Sequence, residues 1–266
     1  MSESGDVRAE IDGQAATTDE LLVPLANNYG HFTAMQVRDF RTRGIDFHVA
    51  RLDSATRELF GVGLDGDRVR GYIRHALGEH TPDASVRVNV FSPGPDEAGP
   101  PEVRVLVLVR PPAQMGDGPW SLASVPYQRP FAHIKHVGGF AQGRYIDLVE
   151  EAGFDEALLV GDDGVVAEGA ITNLGFVSGD SVLWPDAPML LGIGMQVLER
   201  ELAQAGVPSL RRRVTVADVG SFDGVFVTNS RGFAVVRRID ERELPVDAPL
   251  LGQVQKLFAG APWDVI

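Results

Sequence analysis

Apolar and polar positions alternate along this chain in two rhythms, and the change of rhythm marks the elements. From Val23 onward the chain settles into a two-residue period over Phe32–Phe40, the mark of a strand with one buried face. Thr42-Arg43-Gly44 reads as a turn. Val49, Leu52, Ala55, Leu59 and Phe60 then recur at helical spacing, predicting an amphipathic helix over about 47–61. Asp67–Leu77 predicts a second helix, stopped at Gly78. Val86–Phe91 and Val103–Val109 read as strands, separated by a turn rich in Gly, Pro and acid at 92–101.

The second half repeats the mixture. Gly143–Ala152 predicts a helix, Ala157–Val160 a strand, and Asp162-Asp163-Gly164 a tight turn. Short strands follow at Val165–Glu168, Leu174–Val177 and Ser181–Trp184, then a helix over Met195–Ala205. Strands near Arg213–Val216, Val225–Thr228 and Phe233–Ile239 precede a closing helix over Leu250–Phe258. The first 20 residues are polar and acidic and read as a mobile tail. The organisation expected is two α/β (α+β) domains with mixed sheets and flanking helices: 21–112, a Pro/Gly-rich linker at 113–120, and 121–266.

Composition narrows the function. With 266 residues, 44% of them hydrophobic, the chain can bury one large core or two modest ones. A net charge of -13 repels polyanions, which counts nucleic acid and acidic membrane surfaces out as partners. The longest apolar run, Val103–Val109, is strand-sized and contains Arg104, far short of the roughly 20 residues of a membrane span. There is no cysteine, so thiolate chemistry and cysteine-ligated metals are excluded, and a cytoplasmic protein is expected.

Of 24 basic residues only Lys135 and Lys256 are lysines. Arginine cannot supply a neutral primary amine, so a lysine kept against such a bias is a candidate for amine chemistry. Lys135 lies in Phe131-Ala132-His133-Ile134-Lys135-His136-Val137-Gly138-Gly139-Phe140, among apolar and small residues. There it is either a desolvated nucleophile or a strand-end lysine reaching for water. His133-x-x-His136 has the spacing of a metal pair but no third carboxylate nearby, so ring packing is the better account and no metal is expected.

Glu168 enters between two apolar runs. It either meets a positive partner or caps a hairpin turn. Gly192-Ile193-Gly194 runs into a helix, where free N–H groups could receive a phosphate, though a plain helix entry has the same sequence. Thr228-Asn229-Ser230-Arg231-Gly232 ends a strand with polar donors, and Arg51 is a lone cation on an otherwise apolar helix face.

Taken in order, Asn28-Tyr29-Gly30, His48-x-x-Arg51-Leu52, Lys135, Glu168-Gly169-x-x-x-Asn173-Leu174, Leu191-Gly192-Ile193 and Val227–Gly232 resemble the class IV aminotransferases. These are the fold-type IV pyridoxal-phosphate enzymes, among them branched-chain and D-amino-acid aminotransferases and aminodeoxychorismate lyase. The resemblance spans about residues 20–245. It implies a pyridoxal 5'-phosphate cofactor held as a Schiff base on Lys135, in the larger C-terminal domain, with Lys135 also moving the substrate proton. Glu168 would pair with the pyridine nitrogen. Arg51, Asn173, the amides of Ile193 and Gly194, and Asn229 or Ser230 would complete the cofactor site. Tyr29, Arg87, Ser230 and Arg231 would face the substrate.

The implied activity is transfer of an amino group between an amino acid or amine and a keto acid, in a homodimer. A lyase releasing pyruvate and a non-catalytic ligand-binding protein on the same scaffold are the alternatives. Three positions depart from the usual pattern: Gly194 stands for a threonine, Phe140 for a tyrosine, and Val235 for a proline.

Overall fold

The computed structural model describes residues 7–94, 102–116 and 118–266. The chain forms two compact units. The first is Met1–Ala113 with Ile134–Gly138 and Trp263–Ile266. The second is Gln114–His133 with Gly139–Pro262. The five residues around Lys135 thus belong with the first unit, although they are flanked in sequence by the second.

The first unit is built on an antiparallel sheet in the order β2-β1-β6-β5-β3. Its strands are β1 (Arg8–Ile11), β2 (Gln14–Ala15), β3 (Gly30–Val37), β5 (Ala84–Phe91) and β6 (Arg104–Arg110). A short strand β4 (Arg41–Thr42) pairs with β16 (Asp264–Val265) from the C-terminus. Helices α2 (Ile45–Phe60) and α3 (Gly66–Leu77) occupy the places their periodicity predicts, and Gly78 closes α3 at a positive φ that favours glycine. Their apolar stripes put Leu52, Ile73 and Leu77 against Val86, Val88 and Val107 in one core.

The expected mobile tail is a correction. From Arg8 on it is ordered: β1 pairs with β6, and α1 (Thr18–Asn27) follows. The acidic residues that look solvated in sequence are caps and anchors. Asp12 accepts the Val105 N–H at 3.0 Å and holds Arg104, while Thr17 and Glu20 form a capping box at the start of α1. Val23 therefore lies in a helix and does not lead into β3. Residues 1–6, part of the turn at 92–101, and Asp117 of the expected linker lie outside the described residues.

The second unit is a mixed sheet in the order β12-β11-β10-β13-β14-β7-β8-β9, with β15 (Arg242–Glu243) beside β14. These strands are β7 (Trp120–Pro126), β8 (Glu156–Val160), β9 (Val166–Gly169), β10 (Asn173–Ser178), β11 (Ser181–Pro185), β12 (Ser209–Arg212), β13 (Gly224–Asn229) and β14 (Gly232–Ile239). Strand alternation sends Val225 and Val227 to one face, with Leu174 and Phe176. Phe226 goes to the other, with Trp184 and residues of α5 (Ile193–Gln204) and α6 (Pro249–Gly260). Helix α4 (Phe140–Glu151) packs beside β8 through Val149.

Two segments differ from the sequence expectation. Trp120–Pro126 forms a strand between β14 and β8, its pattern masked by Ser121, Ala123 and Ser124. The strand expected near Arg213–Val216 is displaced. Pairing with β11 ends at Arg212, Thr215 keeps an isolated bridge to Val165, and a 3-10 helix over Val216–Ser221 begins at a Thr215–Asp218 capping box.

Candidate functional site

In the first unit β3 is an edge strand, and the Lys135 segment occupies its free side. Phe32 N–H donates to the Lys135 carbonyl at 2.9 Å, Val137 N–H donates to the Gly30 carbonyl at 3.0 Å, and His31 faces His136 in an antiparallel bridge. Ile134 is buried beneath it. Backbone pairing to a rigid strand thus sets the position of a half-buried lysine whose Nζ stands 5.0 Å from the centre of the Phe32 ring.

The same ring carries Arg87, its guanidinium carbon 3.5 Å from the centroid. Arg87 lies on β5, where Ala34 is its partner in register and Asn89 is opposite Phe32. Its Nε donates to Asn89 Oδ1 at 2.9 Å, and no carboxylate among the described residues pairs with it. Burial and the nearby charge of Arg110 lower its pKa, as expected of a cation short of water and counter-ions.

Behind β3 lies a buried polar cluster. Thr33 accepts from Arg51 Nη2 and meets His48 Nδ1 at 2.6 Å. Thr56 gives its only proton to the Leu52 carbonyl at 2.7 Å, so His31 Nε2, 3.0 Å away, is the donor to the Thr56 hydroxyl. Burial first, and then the Arg51 charge, push both imidazoles down: His31 to about 4, and His48 well below its ordinary 6.5. Both rings are therefore neutral at pH 7, and the positive charge of the cluster is concentrated on the Arg51 guanidinium. Tyr29 stands apart, 56% exposed, its ring edge-on to Phe60.

In the second unit Glu168 is 4% exposed and has a positive partner in its own chain. Arg129, equally buried, donates to Glu168 Oε1 at 3.0 Å and to the Ala132 carbonyl at 3.1 Å. Leu190 N–H donates to Glu168 Oε2 at 3.1 Å. The hairpin-cap alternative is thereby set aside. Asn173 donates to the Leu190 carbonyl at 2.7 Å, and its Oδ1 lies where a β-carbon on Gly192 would sit. These bonds deliver the chain to α5, whose N-terminus carries no side-chain cap and so leaves first-turn N–H groups for an anion.

Gly194 sits tightly against the end of β13. A β-carbon there would come within 2.6 Å of the Asn229 carbonyl oxygen and 2.7 Å of the Thr228 hydroxyl. The absent threonine is thus a packing requirement. Asn229 in turn donates to the Ile171 carbonyl at 3.3 Å. Ser230 and Arg231 form the two-residue turn between β13 and β14, with Arg231 N–H bonded to Asn229 Oδ1 at 2.7 Å and its side chain exposed.

Glu168, Asn173, Ile193, Gly194 and Asn229 are therefore joined through the loop before α5 and the end of β13. Lys135, Arg51 and Arg87 share the Phe32–Thr33 segment. Arg129, Thr33 and Asn89 went unremarked in the sequence, because each acts through a partner remote along the chain. Each unit carries groups of the kind pyridoxal phosphate takes: a primary amine and an arginine in the first, a carboxylate and bare helix N–H groups in the second.

The model of the class IV aminotransferases matches residues 30–239. Solved structures with the same fold include the branched-chain amino acid aminotransferase of Escherichia coli, with 18% identity, a TM-score of 0.82, and 96% of this chain and 94% of that one covered. The 4-amino-4-deoxychorismate lyase of Pseudomonas aeruginosa has 25% identity, a TM-score of 0.80, and coverage of 93% and 97%. A hypothetical aminotransferase of Mycobacterium tuberculosis in its PLP-bound form has 20% identity, a TM-score of 0.77, and 90% of both chains covered. No curated protein matches the chain.

Gly194→Thr, although it restores the residue usual in the family, should destabilise the protein by about 1–3 kcal/mol through overpacking against backbone, read as a lowered Tm. An unchanged or raised Tm would refute the packing requirement. The histidines yield a second expectation. Unfolded His31 takes up a proton near 6.5, whereas the folded residue resists until about 4. Wild type should therefore lose stability relative to His31→Gln as pH falls between those values, by roughly 3 kcal/mol at the acid end. Parallel denaturation curves at pH 7.5 and 4.5 would contradict it.

Proposed function

The chain belongs to the class IV aminotransferases, and from that premise we propose that it is a pyridoxal-phosphate-dependent aminotransferase moving nitrogen between an amino acid or amine and a keto acid. The observation that carries the reading is a half-buried lysine held by backbone bonds on β3, in a chain that has only one other lysine. When bound, the cofactor supplies an aldehyde for the amine nitrogen and a conjugated ring that accommodates the electron pair released at Cα.

The protein's own groups do the rest. Lys135 Nζ holds the cofactor and carries the proton that leaves Cα. Glu168 pairs with the pyridine nitrogen, and Arg129 and the Leu190 N–H keep its carboxylate aimed. In the first unit Arg51, oriented by Thr33, is suited to the phosphate; in the second the amides of Ile193 and Gly194 and the donors of Asn229 or Ser230 are suited to the same charge, while Asn173 holds the loop before α5.

Arg87 receives the substrate carboxylate. Stacked on Phe32 and lacking an acidic partner among the described residues, it satisfies an anion without first breaking an ion pair. Tyr29 and Arg231, exposed at the ends of their elements, complete the substrate side. We take the working form to be a cytoplasmic homodimer, the dimer implied by family membership and the compartment by a cysteine-free sequence.

A second reading, a lyase that releases pyruvate, is supported by the likeness to 4-amino-4-deoxychorismate lyase. Product analysis separates the two. A transaminase consumes amino donor and keto acid in equal amounts, whereas a lyase forms pyruvate with no acceptor present.

Wild type with added pyridoxal phosphate should develop a visible absorbance band that Lys135→Ala lacks, together with all turnover. A wild type that never acquires the band would end the proposal. Arg87→Leu should raise KM for a carboxylate substrate about ten- to hundredfold while kcat changes less, the size of a lost charge-assisted bond. An unchanged KM removes Arg87 from the substrate site.

A further inference from the structure

Glu156 lies on β8 and is 1% exposed, and among the described residues no cation pairs with it. A carboxyl buried without a counter-charge is costly, so the bonds that it makes indicate its use. Its Oε1 accepts the Ile171 N–H at 2.7 Å, and its Oε2 meets the Thr172 hydroxyl at 2.8 Å. Both partners lie in the turn between β9 and β10.

That turn has little apolar anchorage at its tip, where the Ile171 side chain is 44% exposed. Polar bonds hold it instead. Gln142 donates to the Ala170 carbonyl at 2.6 Å, and Gly169 N–H closes onto the Thr172 carbonyl at 2.9 Å. The fit around Glu156 is close: a β-carbon on Gly169 would sit 2.7 Å from its Oε1. Burial raises the carboxyl to about 7, the bonds from the turn oppose that rise, and the charge of Glu168 adds to it.

The strands on the two sides of the turn carry Glu168 and Asn173 at or next to their turn ends. The two residues meet again at Leu190, whose N–H binds Glu168 and whose carbonyl binds Asn173. We propose that Glu156 is the positioning residue of this closed circuit. By pinning Ile171 and Thr172 it fixes the direction of Glu168 on one side and, through Asn173 and Leu190, the approach of the chain to α5 on the other. The proposal rests on the cofactor-binding reading above and names a residue behind both protein contacts expected from the second unit.

The test uses the full chain, with amide hydrogen exchange of the cofactor-free protein and an absorbance titration with pyridoxal phosphate. Glu156→Leu removes both bonds. Glu156→Gln keeps them without charge, its amide oxygen accepting from Ile171 and its amide nitrogen donating to Thr172. Thr172→Val removes one bond from the other side and decides the matter if Glu156→Leu does not fold.

Glu156→Leu should exchange the Ile171 amide about tenfold faster and bind cofactor about tenfold more weakly, and Thr172→Val should show about threefold of each, with β8 and β10 protected as in wild type. Glu156→Gln should stay within about twofold of wild type in both. Wild-type cofactor affinity in a folded Glu156→Leu or Thr172→Val protein overturns the proposal, as does a Glu156→Gln protein as impaired as Glu156→Leu. If wild type itself binds no cofactor, the functional reading fails separately. Exchange alone then decides: loss of protection confined to the turn supports Glu156 as its anchor, and loss spread across the sheet overturns it.

Discussion

Arg129 and Glu168 are both buried and bonded to each other, each helping to hold the other's charge in the interior. Removing one member of such a pair strands the other in a low-dielectric interior at a cost of about 3–5 kcal/mol, whereas an intact pair adds little stability over an apolar one. Its value is therefore directional. Arg129 also grips the Ala132 carbonyl, and Glu168 also takes the Leu190 N–H, so one ion pair fixes two loops of the second unit. A carboxylate proposed to face a pyridinium needs that constraint, because a freely rotating one would spend part of its time elsewhere.

The first unit solves a related problem with backbone bonds. An edge strand presents unpaired N–H and carbonyl groups, and these must be covered or used. Here the Lys135 segment is paired along β3, so the lysine inherits the rigidity of the sheet. On the buried side, Thr33 orients Arg51 while both neighbouring histidines stay neutral, so the guanidinium does not share the cluster with a charged imidazole. The Phe32 ring serves two cations, with Arg87 against it and Lys135 at its margin.

Much of this was legible in sequence. The helices at α2, α3, α5 and α6 and most strands of the second unit follow from period and punctuation, and Lys135 stood out by rarity alone. What was misread was polar residues whose partners lie far away. Asp12, Thr17 and Glu20 look like a solvated tail until Arg104 and Val105 are placed beside them. Trp120–Pro126 carries no strand pattern of its own until β14 and β8 flank it. Glu156 went unread, although a carboxylate leading into Ala-Leu-Leu-Val stands at the head of an apolar strand.

By itself, then, the sequence determined the elements and the types of chemical group available, because periodicity, caps and residue identity are local properties. Tertiary structure alone decided which groups meet. Arg129 reaches Glu168 across 39 residues, and the Lys135 segment finds an edge strand formed about a hundred residues earlier. Gly194 owes its identity to a carbonyl on β13. Such pairings depend on how distant strands register within a sheet, and a register is set by the packing of whole faces, which no local pattern encodes.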